Sequence, residues 1–220
     1  MVPIESGVMN GTRDGNPSSA NVLEDSPSAG YMALRDLLGA ARIISDEMSV
    51  LHDIFDFSNA EGHPLLLFDN IKESPGHKVT LNILTRPNLC AALSIAPEHF
   101  IDLLAWAMAN PSQPKLVENG GVLECPQNST DLTKLPIPHH WPQDRGRYVS
   151  ASVIIAEDDG VRNMSFHRQF VRDKNHLVVR LVPRHLRTMV MAAREQGRKV
   201  KIAIVNAPDP VVLLAAAMSF

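Results

Sequence analysis

Residues 163–185 read NMSFHRQFVRDKNHLVVRLVPRH, and the fold is decided in this stretch. Its two ends, 163–171 and 177–182, mix β-branched, aromatic and polar residues, which is typical of strands. Asp173-Lys174-Asn175 between them has the composition of a turn. We therefore predict a β-hairpin centred near Asp173 and Lys174. In an antiparallel ladder about that turn, the numbers of facing residues sum to roughly 347.

This hairpin would bring distant polar residues together. Asn163 is predicted to lie beside Arg184 and His185, and an amide oxygen with an imidazole forms half of a plausible cation site. Arg168 is predicted midway along the first strand, as a fixed cation able to bind a carboxylate or phosphate through paired donors. Asn163 and Arg168 are an odd number of residues apart, so they meet one ligand only if the strand bulges or the ligand wraps its edge.

Structural alternatives remain open for each of these residues. Asn163 would then cap a turn, and His185 would stabilise the first turn of a helix. Arg168 would form a surface ion pair with Asp173 or Glu157.

A second hairpin precedes the first. Residues 148–156 predict a strand, and Glu157-Asp158-Asp159-Gly160 carries the strong Asp-Gly signal of a hairpin turn. Two hairpins in succession favour an antiparallel sheet or barrel. Pro183 is predicted to open a helix that Gly197 ends. A strand at 200–205 and a helix at 211–218 complete this half of the chain.

The first half predicts an αβ domain over residues 29–115. We expect a helix at 31–42, strands at 65–68 and 79–84, and a helix that Pro97 opens and Asn110-Pro111 ends. Residues 1–28 are rich in Ser, Asn, Gly, Pro and Asp, and we expect a disordered tail there. The Pro-rich segment 126–147 contains His139 and His140, a pair that could suggest a metal site. Adjacent residues in an extended segment point to opposite sides, so one of the two could be a ligand but rarely both. We interpret them as polar tips of a surface loop.

Composition excludes several classes of function. The net charge of the 220 residues is −3 with acids and bases intermixed, which gives no indication of nucleic-acid or anionic-membrane binding. No apolar run is long enough to span a bilayer. Cys90 and Cys125 have no metal-type spacing, and we expect them to be free thiols. We expect a soluble, cytoplasmic protein.

An ordered set of motifs resembles the UbiD family of decarboxylases, which includes the ferulic acid decarboxylases. The set runs from about Met32 to the last residue, and its members are Asn163 with Arg168-Gln169, then Asp173-Lys174-Asn175-His176-Leu177, then Pro183 and His185, with 131–138 and 146–149 upstream and 207–218 downstream.

The resemblance implies a fold and an activity. The fold is α/β (α+β), with the N-terminal αβ domain followed by a split β-barrel flavin-binding domain over residues 116–220; the C-terminal domain of the family is absent from this chain. The activity is the reversible, non-oxidative decarboxylation of an α,β-unsaturated or aromatic carboxylic acid with prenylated FMN and a divalent metal, usually Mn²⁺, and possibly K⁺. The expected partners are the acid substrate, a flavin prenyltransferase that supplies the cofactor, and further copies of the complete protein.

The resemblance also implies roles for individual residues. The metal ligands are Asn163 and His185, and the catalytic residue is Arg168. The residues expected to bind the cofactor are Asn163, Met164, Ser165, Phe166, His167, Arg168, Arg184, His185 and Met218. The family's third metal ligand and catalytic glutamates come later than Phe220.

Three origins therefore stay open: a fragment, one subunit of a split enzyme, or a degenerate relative. The degenerate case corresponds to a non-catalytic FMN-binding or assembly module on the same fold. A flavin-reductase-like split barrel that uses ordinary FMN is a third functional alternative.

Overall fold

The computed structural model describes residues 30–57, 62–112, 114–115, 117–118 and 131–218. The predicted disordered tail at 1–28 and Cys125 lie outside the described residues. Within them, α-helices and short strands alternate irregularly, and the strands form open three-stranded sheets. The mixed α/β class is therefore confirmed, whereas no closed barrel is present among the described residues.

A small mixed sheet organises the first half of the chain. Strand β1 (Arg42–Ile44) runs parallel to β2 (Leu66–Phe68), which pairs antiparallel with β3 (Val79–Leu81). The predicted strands at 65–68 and 79–84 are confirmed in shorter form. The second one stops where Asn82 takes a φ of +67°. The side chains of Phe68, Ile54 and neighbouring apolar residues are buried together as the core of this region.

Short helices surround this sheet. They are α1 (Leu34–Leu37), α2 (Asp53–Asp56), α3 (Arg86–Ala92) and α4 (Phe100–Ala109), with 3-10 turns at Leu38–Ala40 and Pro97–His99. The helix predicted from Pro97 is confirmed. The helix predicted over 31–42 is only one α-turn long, because the chain leaves it to enter β1. Helix α3 was not predicted; its Cys90 is buried and is a free thiol.

The Asp-Gly turn builds a second sheet. Asp159 and Gly160 both have positive φ, as a two-residue hairpin turn requires, and they join β5 (Val153–Asp158) to β6 (Val161–Phe166). Strand β9 (Lys201–Val205) pairs antiparallel with the other edge of β5, so the order is β6-β5-β9. The second predicted hairpin and the strand at 200–205 are thus confirmed.

A third sheet contains the turn about Asp173. Its order is β4 (Tyr148–Val149), β7 (Gln169–Val171) and β8 (Leu177–Val179). Gln169 faces Val179 and Val171 faces Leu177, which lies within one residue of the predicted register. The hairpin about Asp173 is therefore confirmed, but only for these short strands.

The predicted single strand over 163–171 is wrong. Strand β6 ends at Phe166, β7 begins at Gln169, and the two belong to different sheets. Because the tight Asp-Gly turn closes β6 onto β5, Asn163 faces Ala156 and does not face Arg184 or His185 across a ladder. The strand predicted over 148–156 divides in the same way, into β4 and β5. Strands that pass from one sheet to another in this manner make corners.

Two further helices cover the two faces of the β6-β5-β9 sheet. Helix α5 (His185–Glu195) packs Leu186 against Ile154 and Ala156. Helix α6 (Pro210–Ala217) packs Leu213 against Val153 on the opposite face. Both helices were predicted, and Gly197, with a φ of +68°, follows α5 as expected for a C-terminal glycine.

Contacts also join the two halves of the chain. Leu214 of α6 packs against Leu89 and Phe100, and the backbone N–H of Leu34 donates to Asp209 Oδ1 at 2.7 Å. The domain boundary near residue 115 stays a prediction.

A bidentate ion pair ties the β5–β6 turn to the loop that follows α5. Arg198 donates to both carboxylate oxygens of Asp158, at 2.5 and 3.1 Å. The hydrogen bonds from Arg198 hold the pKa of the Asp158 carboxyl below its ordinary value. This pair stands far along the sheet from the β6–β7 break.

Among the described residues, no single helix has the length and apolar composition needed to cross a membrane. The segments Arg86–Ala92 and Pro97–Ala109 meet those two criteria only when taken together, and a bend of 93° separates them.

The packing of α5 on the sheet predicts a large difference between two isoleucines. Ile154 is buried on central strand β5, whereas Ile202, on the same face of neighbouring strand β9, is 46% exposed. Ile154→Ala should lower the free energy of unfolding by about 2–5 kcal/mol, because it removes buried methyl groups and leaves a cavity. The matched Ile202→Ala should cost less than about 1 kcal/mol. Urea unfolding measures both, and equal losses would contradict the packing described here.

Candidate functional site

Three polar side chains form a connected row along β6 and just beyond it. Asn163, Ser165 and His167 alternate along the chain, so they share one side of the strand. The amide nitrogen of Asn163 donates to Ser165 Oγ at 3.0 Å, and Ser165 Oγ lies 3.0 Å from His167 Nε2. All three residues are half-buried. We call Asn163, Ser165 and His167 the polar row.

The polar row lies on the sheet face that α5 covers. Asn163 and Ser165 stand opposite Ala156 and Ile154 on β5, and those two residues pack against Leu186 of α5. His185 is the first residue of that helix and is exposed. The structure thus brings Asn163 and His185 to the same face of one sheet, although the ladder between them that the sequence predicted does not exist.

The alternate residues of β6 have a different environment. Met164 and Phe166 face α6, where they pack against Val153 and Leu213 in the core. Their side chains are therefore engaged in packing, and their backbone is what remains for a ligand on the polar-row side. Met218 follows α6 directly and is half-buried. Arg184 precedes α5 in an extended conformation and is exposed.

Arg168 lies in the break between β6 and β7, not midway along a strand. Its Nη2 donates to Asp144 Oδ1 at 2.8 Å, and its guanidinium carbon lies 4.0 Å from the centre of the Tyr148 ring. Neither alternative partner from the sequence analysis is used, since Glu157 pairs with Arg162 and Asp173 with His176. Because of the break, Asn163 and Arg168 do not belong to one regular strand, so the odd number of residues between them does not force them to opposite faces.

A buried polar pair anchors the chain directly after Arg168. The side chain of Gln169 is fully buried, and its Nε2 donates to Ser152 Oγ at 2.5 Å. Its Oε1 is buried without a hydrogen-bond partner among the described residues. Sequence analysis missed this pair, since nothing in the two residue types distinguishes a buried glutamine from a surface one.

The loop before β4 is also more buried than predicted. His139 and His140 are half-buried, so the interpretation as polar tips of a surface loop is wrong. His139 Nε2 donates to the backbone oxygen of Asp144 at 3.1 Å, and its ring centre lies 4.8 Å from that of His52. The His140 ring meets Phe55 edge-on, and burial lowers the pKa of His140 while the carboxylate of Asp144 opposes that shift.

The donor set of the polar row suits a hard or borderline cation better than a soft one. Because the Asn163 amide nitrogen donates to Ser165, its carbonyl oxygen is left as an acceptor. The exposed His185 offers an imidazole, whereas Nε2 of His167 already contacts Ser165 Oγ. In the part of the chain that the structure describes, no group of three or more His, Cys, Asp or Glu side chains is placed to hold a metal. A cation at the polar row would therefore need ligands from elsewhere, such as a phosphate.

Comparison with known proteins shows which family this chain resembles in sequence and in fold. Residues 115–220 match the UbiD family, described as the 3-octaprenyl-4-hydroxybenzoate carboxy-lyase Rift-related domain. The chain is 34% identical over 81% of its length to an anhydromevalonate phosphate decarboxylase from Methanothermobacter thermautotrophicus, and 35% identical over 68% to one from Methanosarcina mazei. The chain belongs to the UbiD family.

Solved UbiD structures have the same fold. The UbiD-class enzyme HmfF from Pelotomaculum thermopropionicum, in an evolved dimeric form in complex with prFMN, matches with a TM-score of 0.78 and 33% identity over 86% of this chain. The vanillic acid decarboxylase of Sedimentibacter hydroxybenzoicus matches with a TM-score of 0.74 at 20% identity, over 84% of this chain and 45% of that one, which is a likeness of fold.

The chain is shorter than these UbiD proteins. It spans 42% and 35% of the length of the two curated relatives, and 47% of the HmfF chain. What the longer proteins do as a whole is therefore carried to this chain only as a proposal.

The Gln169–Ser152 pair predicts a local stability effect next to the site. Ser152→Ala removes the hydroxyl that accepts from Gln169 and leaves the buried Nε2 with only its 3.4 Å hydrogen bond to the backbone oxygen of His167, so it should cost about 1–3 kcal/mol of unfolding free energy. Ser150→Ala, at an exposed position two residues earlier, is the matched control and should be nearly neutral. Chemical denaturation measures the unfolding free energy of both variants. If both changes were neutral, the Gln169–Ser152 contact would not contribute to stability.

Proposed function

We propose that this chain is the cofactor-binding part of a UbiD decarboxylase. The reaction is the reversible, non-oxidative decarboxylation of an α,β-unsaturated or aromatic carboxylic acid with prenylated FMN. The observation that carries the proposal is the position of the polar row, which ends one residue before Arg168. The polar row offers ligands for a metal ion that also binds a phosphate. Arg168, at the other end, offers a fixed positive charge for a carboxylate. The decarboxylase names of the relatives and the prFMN bound to HmfF support the same conclusion.

We also propose a division into two domains, which goes beyond what the sheets alone establish. Residues 29–115 form an N-terminal αβ domain, and residues 116–220 form a split-barrel flavin-binding domain. The switch of β4–β5 and of β6–β7 between two sheets supports a split barrel, because it provides two corners in neighbouring antiparallel strands. A region beyond this chain is proposed to complete the active enzyme.

Asn163 and His185 are the proposed metal ligands. Asn163 Oδ1 and the His185 imidazole would hold Mn²⁺, with K⁺ as a second candidate ion, and the flavin phosphate would add oxygen ligands. Ser165 and His167 hold the Asn163 amide in the orientation that leaves its carbonyl oxygen available. The exposed Arg184 adds positive charge near the phosphate at the start of α5.

Arg168 is the proposed substrate-binding and catalytic residue. Its guanidinium would bind the substrate carboxylate and keep the acid oriented on the cofactor, which supplies the electron sink for the reaction when it is bound. The proton that replaces carbon dioxide requires a neighbouring acid. We assign that acid to the glutamates that the UbiD resemblance places beyond Phe220.

The proposed cellular setting follows from the cofactor. A flavin prenyltransferase would supply prenylated FMN, the enzyme would act in the cytoplasm on a small carboxylic acid, and the complete protein would form homo-oligomers.

The metal assignment predicts which variants lose the cofactor. Native mass spectrometry of the chain, co-expressed with a flavin prenyltransferase and supplied with Mn²⁺, should show one prenylated FMN and one metal. Asn163→Ala and His185→Ala should lose the metal and retain less flavin, because each removes a proposed ligand. His176→Ala, which removes an exposed histidine from the β7–β8 turn, is the matched control and should retain both. Wild-type protein that carries ordinary FMN without metal would favour the reductase-like alternative.

The catalytic assignment predicts a different result for Arg168. In a preparation with measurable decarboxylation, either this chain or a longer form that contains it, Arg168→Ala should lower turnover by about a hundredfold or more while flavin stays bound. Arg162→Ala, which removes an exposed arginine of β6, should leave turnover unchanged. Near-normal turnover of Arg168→Ala would show that the assigned role is wrong.

A further inference from the structure

The loop before β4 supplies the carboxylate that contacts Arg168. Asp144 Oδ1 accepts from Arg168 Nη2 at 2.8 Å, and the Asp144 side chain is only 20% exposed although it lies in a loop. The Tyr148 ring packs against one face of the same guanidinium at 4.0 Å. Arg168 is therefore held at one end by a carboxylate and on one face by an aromatic ring, although its own side chain is 57% exposed.

Independent contacts fix the position of both restraining groups. The Tyr148 ring lies 5.3 Å from that of Phe170, its partner across the β4–β7 ladder. The backbone N–H of Asp144 donates to Trp141 O at 2.9 Å, and its backbone oxygen accepts from His139 at 3.1 Å. The loop also passes close above Phe170, since a Cβ at Gly146 would lie 3.2 Å from that ring. Arg168 does not create this arrangement, because none of these contacts involves it.

The remaining donors of Arg168 are available. A guanidinium has five N–H groups, and the contact with Asp144 uses one of them. Nε and Nη1 have no partner among the described residues. A second carboxylate can therefore bind to the free part of the fork without displacing Asp144, and a guanidinium already held in place loses less side-chain entropy when it binds.

From this geometry we propose that Asp144 is a positioning residue, which holds the Arg168 guanidinium on Tyr148 in the conformation that receives the substrate carboxylate. The inference rests on the proposed role of Arg168 and adds a residue to it. Asp144 touches neither substrate nor cofactor, and it acts only through Arg168.

Side-chain NMR of Arg168 tests this directly in the chain as it is. In wild-type protein the ¹⁵Nε–¹Hε signal of Arg168, assigned by its loss in Arg168→Lys, should show the heteronuclear NOE of an ordered side chain. Asp144→Ala should lower that NOE to the value of a freely moving arginine, while backbone signals of β4 and β7 stay unchanged. Asp144→Asn keeps an oxygen acceptor and should restore part of the order. Asp158→Ala, which breaks the remote Asp158–Arg198 pair, is the matched control and should not affect Arg168.

Titration with trans-cinnamate, a simple unsaturated carboxylate, separates this inference from the proposed function. The Arg168 signal should shift saturably in wild-type protein, and the dissociation constant should rise about fivefold in Asp144→Ala, the loss expected for one partly exposed charge pair. An unchanged NOE in Asp144→Ala would overturn the positioning role, whatever cinnamate does. A lowered NOE together with no cinnamate shift in wild-type protein would instead keep the positioning contact and overturn the proposed carboxylate role of Arg168.

Discussion

The two-residue turn at Asp159-Gly160 sets the positions of the candidate site residues from Asn163 to Arg168. Because this turn pairs β6 with β5 along its whole length, the chain cannot continue as one strand into β7, and it breaks at His167 and Arg168. The break leaves the polar row along β6 and places Arg168 directly before β7, the central strand of the next sheet, beside Asp144 and Tyr148. A regular strand would have pointed Asn163 and Arg168 to opposite faces.

The same sheet separates two kinds of environment. On one face, Met164 and Phe166 pack under α6 in an apolar core, and the polar row lies on the other face, which α5 covers. Alternation along a single strand is sufficient to achieve this, since neighbouring side chains point to opposite sides. The apolar contacts pack β6 against α6, which leaves the polar side chains on its other side outside that core. Buried Gln169 continues this support past the break, next to the exposed Arg168.

Local signals in the sequence predicted the elements well and their connections less well. The Asp159-Gly160 turn, the turn about Asp173, the helix after Pro183 and the strand at 200–205 depend on short-range chemistry, and all are present. The break at His167-Arg168 was missed because 163–171 looks like one continuous strand, and two competing turns divide it. The residue pattern alone cannot show which of the two turns determines the pairing of this segment.

The partners of Arg168 were missed for a related reason, since Asp144 is 24 residues away in sequence and is brought close only by the β4–β7 pairing. Motif resemblance identified the family without this geometry.

Crystals of the chain grown with FMN and Mn²⁺, measured at the manganese absorption edge, would show whether the polar row is part of the cofactor site. We expect one anomalous peak bounded by Asn163 and His185, with the flavin phosphate beside it and the flavin ring extending past the β6–β7 break toward Arg168. A flavin bound elsewhere on the fold, or a manganese peak without Asn163 among its neighbours, would rule out this assignment. In either case the polar row would be a structural feature of the sheet, and the cofactor site would have to be sought on another surface.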